Sequence, residues 1–204
     1  VKYFADRDGV QPVFQPEPPV SFSVTPIENG AELRWGNGAV GAPFGDQPTS
    51  YRVYQSNDGR SWNNGVVVFD KFLEVPLSGG QTKYFRVAAI NDGGSSFSSE
   101  TLAYKKPLGS ENPVLIVSAY DRLQFSSLFW ADVGSLGTVR RMNLRRINSR
   151  DSIIETSEAV SAGGYPFASI SDEVLAGTDL SEFSVVIWIA GEESTLNETF
   201  NNSD

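Results

Sequence analysis

The chain has 204 residues, 40% hydrophobic, 12% aromatic and 20% charged, which is enough apolar content for a packed core and too little charge for a disordered tail. A formal charge of -9 argues against the basic surface that nucleic-acid phosphates or an anionic membrane demand, so neither is expected as a partner. The absence of Cys and His removes thiol nucleophiles, Ser-His-Asp arrangements, the usual zinc ligand sets and an imidazole base. Neither a catalytic residue nor a metal or cofactor is therefore assigned.

The length predicts one complete module plus a smaller or incomplete one. Residues 1–19 read as the tail of a preceding domain and a linker. Tyr3 and Phe4 are apolar, Gly9 sits where a helix would stop, and Pro12, Pro16, Pro18 and Pro19 impose extended, semi-rigid backbone. The chain starts at Val1 without a basic stretch and apolar run. We therefore expect an internal segment of a longer precursor, with targeting signals elsewhere. No apolar run approaches the roughly 20 residues of a membrane helix, and no span is expected.

Residues 20–107 alternate in short apolar segments divided by turn residues, the pattern of an antiparallel sandwich. Phe22 and Val24 precede the Asn29-Gly30 hairpin signal, and Ala31, Leu33 and Trp35 come after it. Tyr51, Val53 and Gln55 make the next strand, with a turn at Asn57-Asp58-Gly59. Residues 66–69, then Phe72, Val75 and Leu77, then 84–90 and 97–104 complete about seven strands. The aromatics Trp35, Tyr51, Tyr54 and Tyr84 are expected in the core, since a sandwich of this size has to bury such residues.

Trp35, Tyr51-x-Val-Tyr54, Leu77, Tyr84-x-Arg86-Val87-x-Ala89-x-Asn91 and Gly94-x-Ser96 together resemble a fibronectin type III domain. The resemblance implies that the tryptophan and the later tyrosine pack in the core and that the last motif is the final hairpin. The Gly-rich stretch 36–47 departs from that family's pattern.

Residues 108–204 have a different grammar. Val114-Leu-Ile-Val117 and Val185-Val-Ile-Trp-Ile189 are continuous apolar runs, as in parallel strands buried on both faces. Residues 123–130 suit helix or irregular structure, 152–160 a helix, and 167–170 a short strand. This reads as a partial, flavodoxin-like α/β domain, too short for a finished doubly wound sheet, whose apolar edges would bring local disorder, dimerisation through an edge, or both.

The stretches 114–122, 145–149, 169–173 and 186–194 resemble a flavodoxin-like region of secreted bacterial surface proteins labelled xanthan lyase or N-acetylmuramoyl-L-alanine amidase. Val1-Lys-Tyr-Phe-Ala5 is similar to the closing helix of the amidase-like domain that precedes the fibronectin type III domain in those proteins. The resemblance implies a secreted or cell-surface location, partners among the flanking domains of the parent chain, and catalytic regions lying outside this sequence.

Two groups of residues are candidates for ligand binding. Ligands of open α/β sheets bind beyond the carboxyl ends of the strands, which would bring Asp121 and Arg122 near Glu192, Glu193 and Ser194. These carboxylates would serve a metal, a sugar or acid-base work, or else Asp121 and Arg122 pair with each other or cap helices while Glu192 and Glu193 supply negative charge at the next helix start. Ser194 lacks a nucleophile elbow and any histidine to activate it. Trp62, in the polar stretch 58–64, is the candidate for stacking on a sugar, against partial burial under the neighbouring loop. Arg140, Arg141, Arg145, Arg146 and Arg150 would share a face if helical and suit an anionic polysaccharide, or form a solvated or internally paired face. Asn197-Glu-Thr199 and Asn201-Asn-Ser203 match the glycosylation sequon, a pattern frequent by chance.

Three functions suit these residues. The first is a noncatalytic accessory segment of a secreted polysaccharide- or peptidoglycan-active protein. The second is a carbohydrate-binding module using Trp62 and the arginine cluster. The third is a lyase or hydrolase of acidic polysaccharide, for which no spacing singles out a catalytic pair.

Overall fold

The computed structural model of the chain describes residues 13–41, 44–119, 129–132, 134, 137–141 and 151–190. Eight strands build the first module: β1 (Val20–Ile27), β2 (Gly30–Gly36), β3 (Ser50–Ser56), β4 (Val66–Val68), β5 (Phe72–Pro76), β6 (Thr82–Asn91), β7 (Gly94–Ser98) and β8 (Leu102–Lys105). One sheet runs β1-β2-β5 and the other β4-β3-β6-β8, with β7 beside the far end of β6. Between them Phe22, Val24, Leu33, Trp35, Tyr51, Val53, Phe85, Val87, Leu102 and Tyr104 form one core. Trp35 meets Tyr51 edge-on, ring centroids 5.5 Å apart, the arrangement that sets a positive ring edge on a negative face.

Two details differ from the sequence pattern. The first hairpin closes at Ile27↔Gly30, so its loop is Glu28-Asn29. Gly30 is needed because a Cβ there would overlap the Val75 carbonyl of β5. The last strand is divided because serine hydroxyls take backbone places in the ladder: Ser96 Oγ accepts from the Ala89 N–H at 2.9 Å, and Ser99 Oγ from the Val87 N–H at 3.1 Å. The end of the Pro-rich stretch is tied down too. Phe14 N–H donates to Asp46 at 2.7 Å, its carbonyl accepts from Asn91 Nδ2 at 2.8 Å, and Pro16, Pro18 and Pro19 are buried.

The second module contributes β9 (Val114–Ser118), β10 (Phe129–Asp132), β11 (Thr138–Arg141), α1 (Asp151–Ala162), β12 (Phe167–Ser171) and β13 (Val185–Ile189). Short 3-10 turns at Asp172–Gly177 and Leu180–Glu182 lie between the last two strands. β10 and β11 pair antiparallel, so Phe129 and Trp130 lie on a strand and the helical option for 123–130 fails there. β9 pairs in parallel with β12 on one side and β13 on the other. The residues of β9 alternate between two clusters: Val114 and Ile116 join Ile153, Ile154 and Phe167, whereas Leu115 and Val117 join Ile170 and Leu175. Burial on both faces explains the uninterrupted apolar run.

The two modules share their main sheet. The free side of β12 meets both edge strands of the sandwich, Phe167 opposite Lys105 of β8, and Ser169 and Ile170 opposite Val24 and Ser23 of β1. Ser169 Oγ accepts from the Ala103 N–H at 2.6 Å and donates to the Ala103 carbonyl at 2.7 Å, substituting for a ladder pair where the strands diverge. The loop 106–113 thus divides the chain in sequence, while hydrogen bonds cross that boundary.

Tyr84 occupies a different core from the one expected. In β6, Phe85, Val87 and Ala89 face the sandwich interior, so period-2 geometry turns Tyr84 to the outer face. There it packs with Ala103, Ile153, Ile154 and Phe167, and shares a 3.0 Å hydrogen bond with Ser157 of α1. Tyr54, also outward by the same alternation, is only half-buried.

Candidate functional site

The outer face of the sheet β3-β6-β8 is divided in two. α1 covers the part around Tyr84 and Ala103, and its C-terminal end is held by Lys105 Nζ, 3.1 Å from the Ser161 carbonyl. Beyond it lie Arg52, Tyr54 and Arg86, with Tyr54 directly opposite Arg86 and Arg52 opposite Ala88.

The loop 57–65 borders this half-buried part, and its shape is written in short polar side chains. Ser56 Oγ accepts from the Gly59 N–H at 2.9 Å, while Asp58 Oδ1 accepts from the Arg60 and Ser61 N–H groups at 2.8 and 2.7 Å. These donors, the Ser61 N–H foremost, hold the Asp58 carboxyl far below the usual carboxylate range. Gly59 has φ +70°, and a Cβ there would lie 2.7 Å from Ile154 Cγ1 of α1, so both backbone and space require glycine. Arg60 crosses to Glu158 of α1 at 2.5 Å, and its hydrogen bond lowers the Glu158 pKa. Asn63 Oδ1 accepts from the Gln55 and Gly65 N–H groups, closing the loop.

Trp62 is therefore built into the junction. It packs against the second core, and the Arg86 guanidinium carbon lies 4.1 Å from its ring centroid, a cation–π stack. Arg86 Nε donates to Thr101 Oγ1 at 2.8 Å. Arg52 differs: its Nε is buried and has no hydrogen-bond partner among the described residues. A Cβ at Gly65, just before β4, would lie 2.5 Å from Arg52 Cγ, so the chain there runs close beside that side chain.

Of the other candidates, Asp121, Arg122, Arg145, Arg146, Arg150, Glu192, Glu193 and Ser194 lie outside the described residues, as do Asn197 and Asn201. The points where the chain leaves the sheet are described. Ser118 and Ile189 are in register at the carboxyl ends of adjacent parallel strands, and the Ala119 N–H donates to the Ile189 carbonyl at 3.0 Å. Arg140 and Arg141 lie on β11, so the shared helical face is not formed there. Sequence reasoning passed over Arg52 and Arg86. Strand alternation signals both, because Tyr51, Val53, Phe85 and Val87 are apolar and the residues between them face the other way.

No family model matches the chain, and no curated protein matches it. Solved structures do resemble it. A titin fragment spanning domains A168–A170 is 26% identical over 43% of this chain, with a TM-score of 0.37, and the match spans 30% of the fragment. The sixth fibronectin type III domain from a human fibronectin type III domain containing protein is 25% identical, TM-score 0.39, over 51% of this chain and 94% of its own. A beta-1,2-glucanase from Parabacteroides distasonis is 19% identical, TM-score 0.41, over 50% of this chain and 14% of its own. The neighbours of the sandwich thus include fibronectin type III domains.

Proposed function

We propose that this segment is a noncatalytic accessory part of a secreted, multidomain protein active on polysaccharide or peptidoglycan, of the kind labelled xanthan lyase. It acts there as a stiff connector and docking module between flanking domains. The observation that carries this reading is β12 laid between the two edge strands of the sandwich, which couples the sandwich to the α/β part of the chain. The anchoring of Phe14 at the other end adds to it. A sandwich resembling fibronectin type III domains fits a linker role. The order β12-β9-β13, with α1 covering one face and Leu175 of the 3-10 turn the other, supports a flavodoxin-like, doubly wound continuation.

The test is co-sedimentation with insoluble peptidoglycan beside incubation with xanthan. The expected result is no rise in ultraviolet absorbance from unsaturated uronic products. Such a rise would overturn the noncatalytic assignment.

A further inference from the structure

We propose that Asn64 is a self-modification site, where the chain converts its own asparagine through a succinimide to aspartate and isoaspartate, and that the fold confines this reaction to one of three chemically alike places. Asn-Gly pairs occur at 29–30, 37–38 and 64–65. In each, glycine leaves the nitrogen beside the asparagine unshielded by a Cβ. The Gly65 nitrogen, its proton lost to base, attacks Asn64 Cγ. The N–Cγ bond forms, the Cγ–Nδ2 bond breaks, and Nδ2 departs as ammonia with a proton from solvent. Water then opens the ring. Its addition at Cγ gives aspartate, and its addition at the main-chain carbonyl carbon leaves the chain running through Cγ as isoaspartate.

The other two pairs are held against that attack. The Asn37 side chain is gripped at both ends: Nδ2 donates to Gln47 Oε1 at 3.0 Å, and Oδ1 accepts from the Tyr51 hydroxyl. Asn29 is exposed, but the peptide unit that would have to turn is fixed. Its carbonyl accepts from the Leu77 N–H at 3.1 Å, and Gly30 is buried between Ile27 of β1 and Pro76 of β5, where even a Cβ has no room. Asn64 is exposed, lies outside any strand, and its side-chain amide has no hydrogen bond among the described residues. One brake remains. The Gly65 N–H donates to Asn63 Oδ1 at 3.1 Å, a neutral bond at an exposed residue that has to open before the nitrogen can lose its proton.

The location gives the reaction a structural effect. Gly65 immediately precedes β4, a three-residue strand that pairs only with β3 among the described residues. Isoaspartate lengthens the main chain by one carbon just ahead of Val66, which has to meet Val53. Either product also adds a negative charge to a chain already at -9. β4 is therefore the element that the reaction loosens.

The experiment is timed incubation of the full chain in mildly alkaline buffer, followed by tryptic peptide mapping. The three pairs fall on separate peptides, 8–34, 35–52 and 61–71. Peptide 61–71 should gain the acid and its isoaspartyl isomer about tenfold faster than the other two, since attack elsewhere waits for local opening. In urea, with the fold removed, the three rates should converge. Asn63→Ala should speed conversion about fivefold, the worth of one neutral hydrogen bond. Asn64→Gln should suppress it, because ring closure would need one more atom. Amide exchange across residues 66–68 should quicken in the isoaspartyl fraction. No conversion of 61–71, equal or faster conversion of 8–34 or 35–52, or a ranking that persists in urea overturns the proposal. A rate unchanged by Asn63→Ala overturns the brake, and unchanged exchange across 66–68 overturns the effect on β4.

Discussion

The two main cores of this molecule are built on opposite plans. The sandwich core is supplied by strands of one module: Trp35, Tyr51, Phe85 and Tyr104 pack between its own sheets, and Ala168 alone among its buried residues enters from outside. The second core is shared. Ile153, Ile154, Ile116 and Phe167 are buried against Tyr84 and Ala103, which belong to the sandwich. A domain with three parallel strands and one α-helix among its described residues lacks the layers that usually cover such a sheet. Here the neighbouring module extends the sheet edge to edge, and α1 packs across both parts of it. A module boundary in sequence is therefore not a boundary in packing.

Phe167→Ala gives the sharpest break of that comparison. Phe167 is fully buried at the meeting of β12, β8 and β9, so its truncation should cost about 3–5 kcal/mol. Urea unfolding monitored by tryptophan fluorescence and far-ultraviolet dichroism should show one shared transition moving to lower denaturant. Two separated transitions would mean the modules fold independently.

Ser169→Ala is next, at about 1–3 kcal/mol, because it leaves both the N–H and the carbonyl of Ala103 without their partner. Amide exchange at Ala103 should accelerate with it.

Tyr84→Phe removes the hydroxyl bonded to Ser157 and should cost about 1 kcal/mol. It also bears on alkaline behaviour. Burial raises the pKa of Tyr84 above its ordinary value, so its contribution is complete below about pH 10 and is lost as pH rises through the folded pKa. Tyr84→Phe should flatten that alkaline decline in the unfolding midpoint, measured by thermal melts across pH.

The smallest effect is expected at the solvent-exposed contacts of the loop 57–65. Asp58 and Glu158 have lowered pKa values, from backbone N–H donors and from Arg60 respectively. Their contributions are present above the usual carboxylate range, about pH 4, and fade as pH falls through the depressed folded values. Glu158→Gln should leave a slight, salt-sensitive change in melting temperature at neutral pH and none at low pH.

Strand existence was legible because alternation is a local signal. Phe22 and Val24, Leu33 and Trp35, and Tyr51 and Val53 are all buried where the pattern placed them. The helix expected over 152–160 is α1, one or two residues longer at each end, and the strand expected over 167–170 is β12. What alternation could not show is which core an outward residue meets. Tyr84 is outward by parity, yet it is 2% exposed because a helix some seventy positions later covers it. The same reason hides the setting of Trp62, whose polar neighbours Asp58, Arg60 and Asn63 look like an open loop until their hydrogen bonds and α1 are in place; of the two alternatives read for it, it is the partial burial that the packing shows. Arg52 is the converse case. Nothing local marks an arginine as lacking an acceptor, since that depends on what the loop at Gly65 and the strands around it do not offer.

The bridge made by β12 also has a consequence in time. The Ser169 hydroxyl that satisfies Ala103 lies 66 residues further along the chain. At a synthesis rate of about 5–20 residues per second, the β8 edge of the sandwich waits roughly 3–13 s for the strand that joins it to β1, and the β1 edge, made earlier, waits longer. During that interval they are open to any other extended segment nearby. The nascent protein is thus most vulnerable after its first module is already complete, and a holding factor or slow release would matter most at that stage.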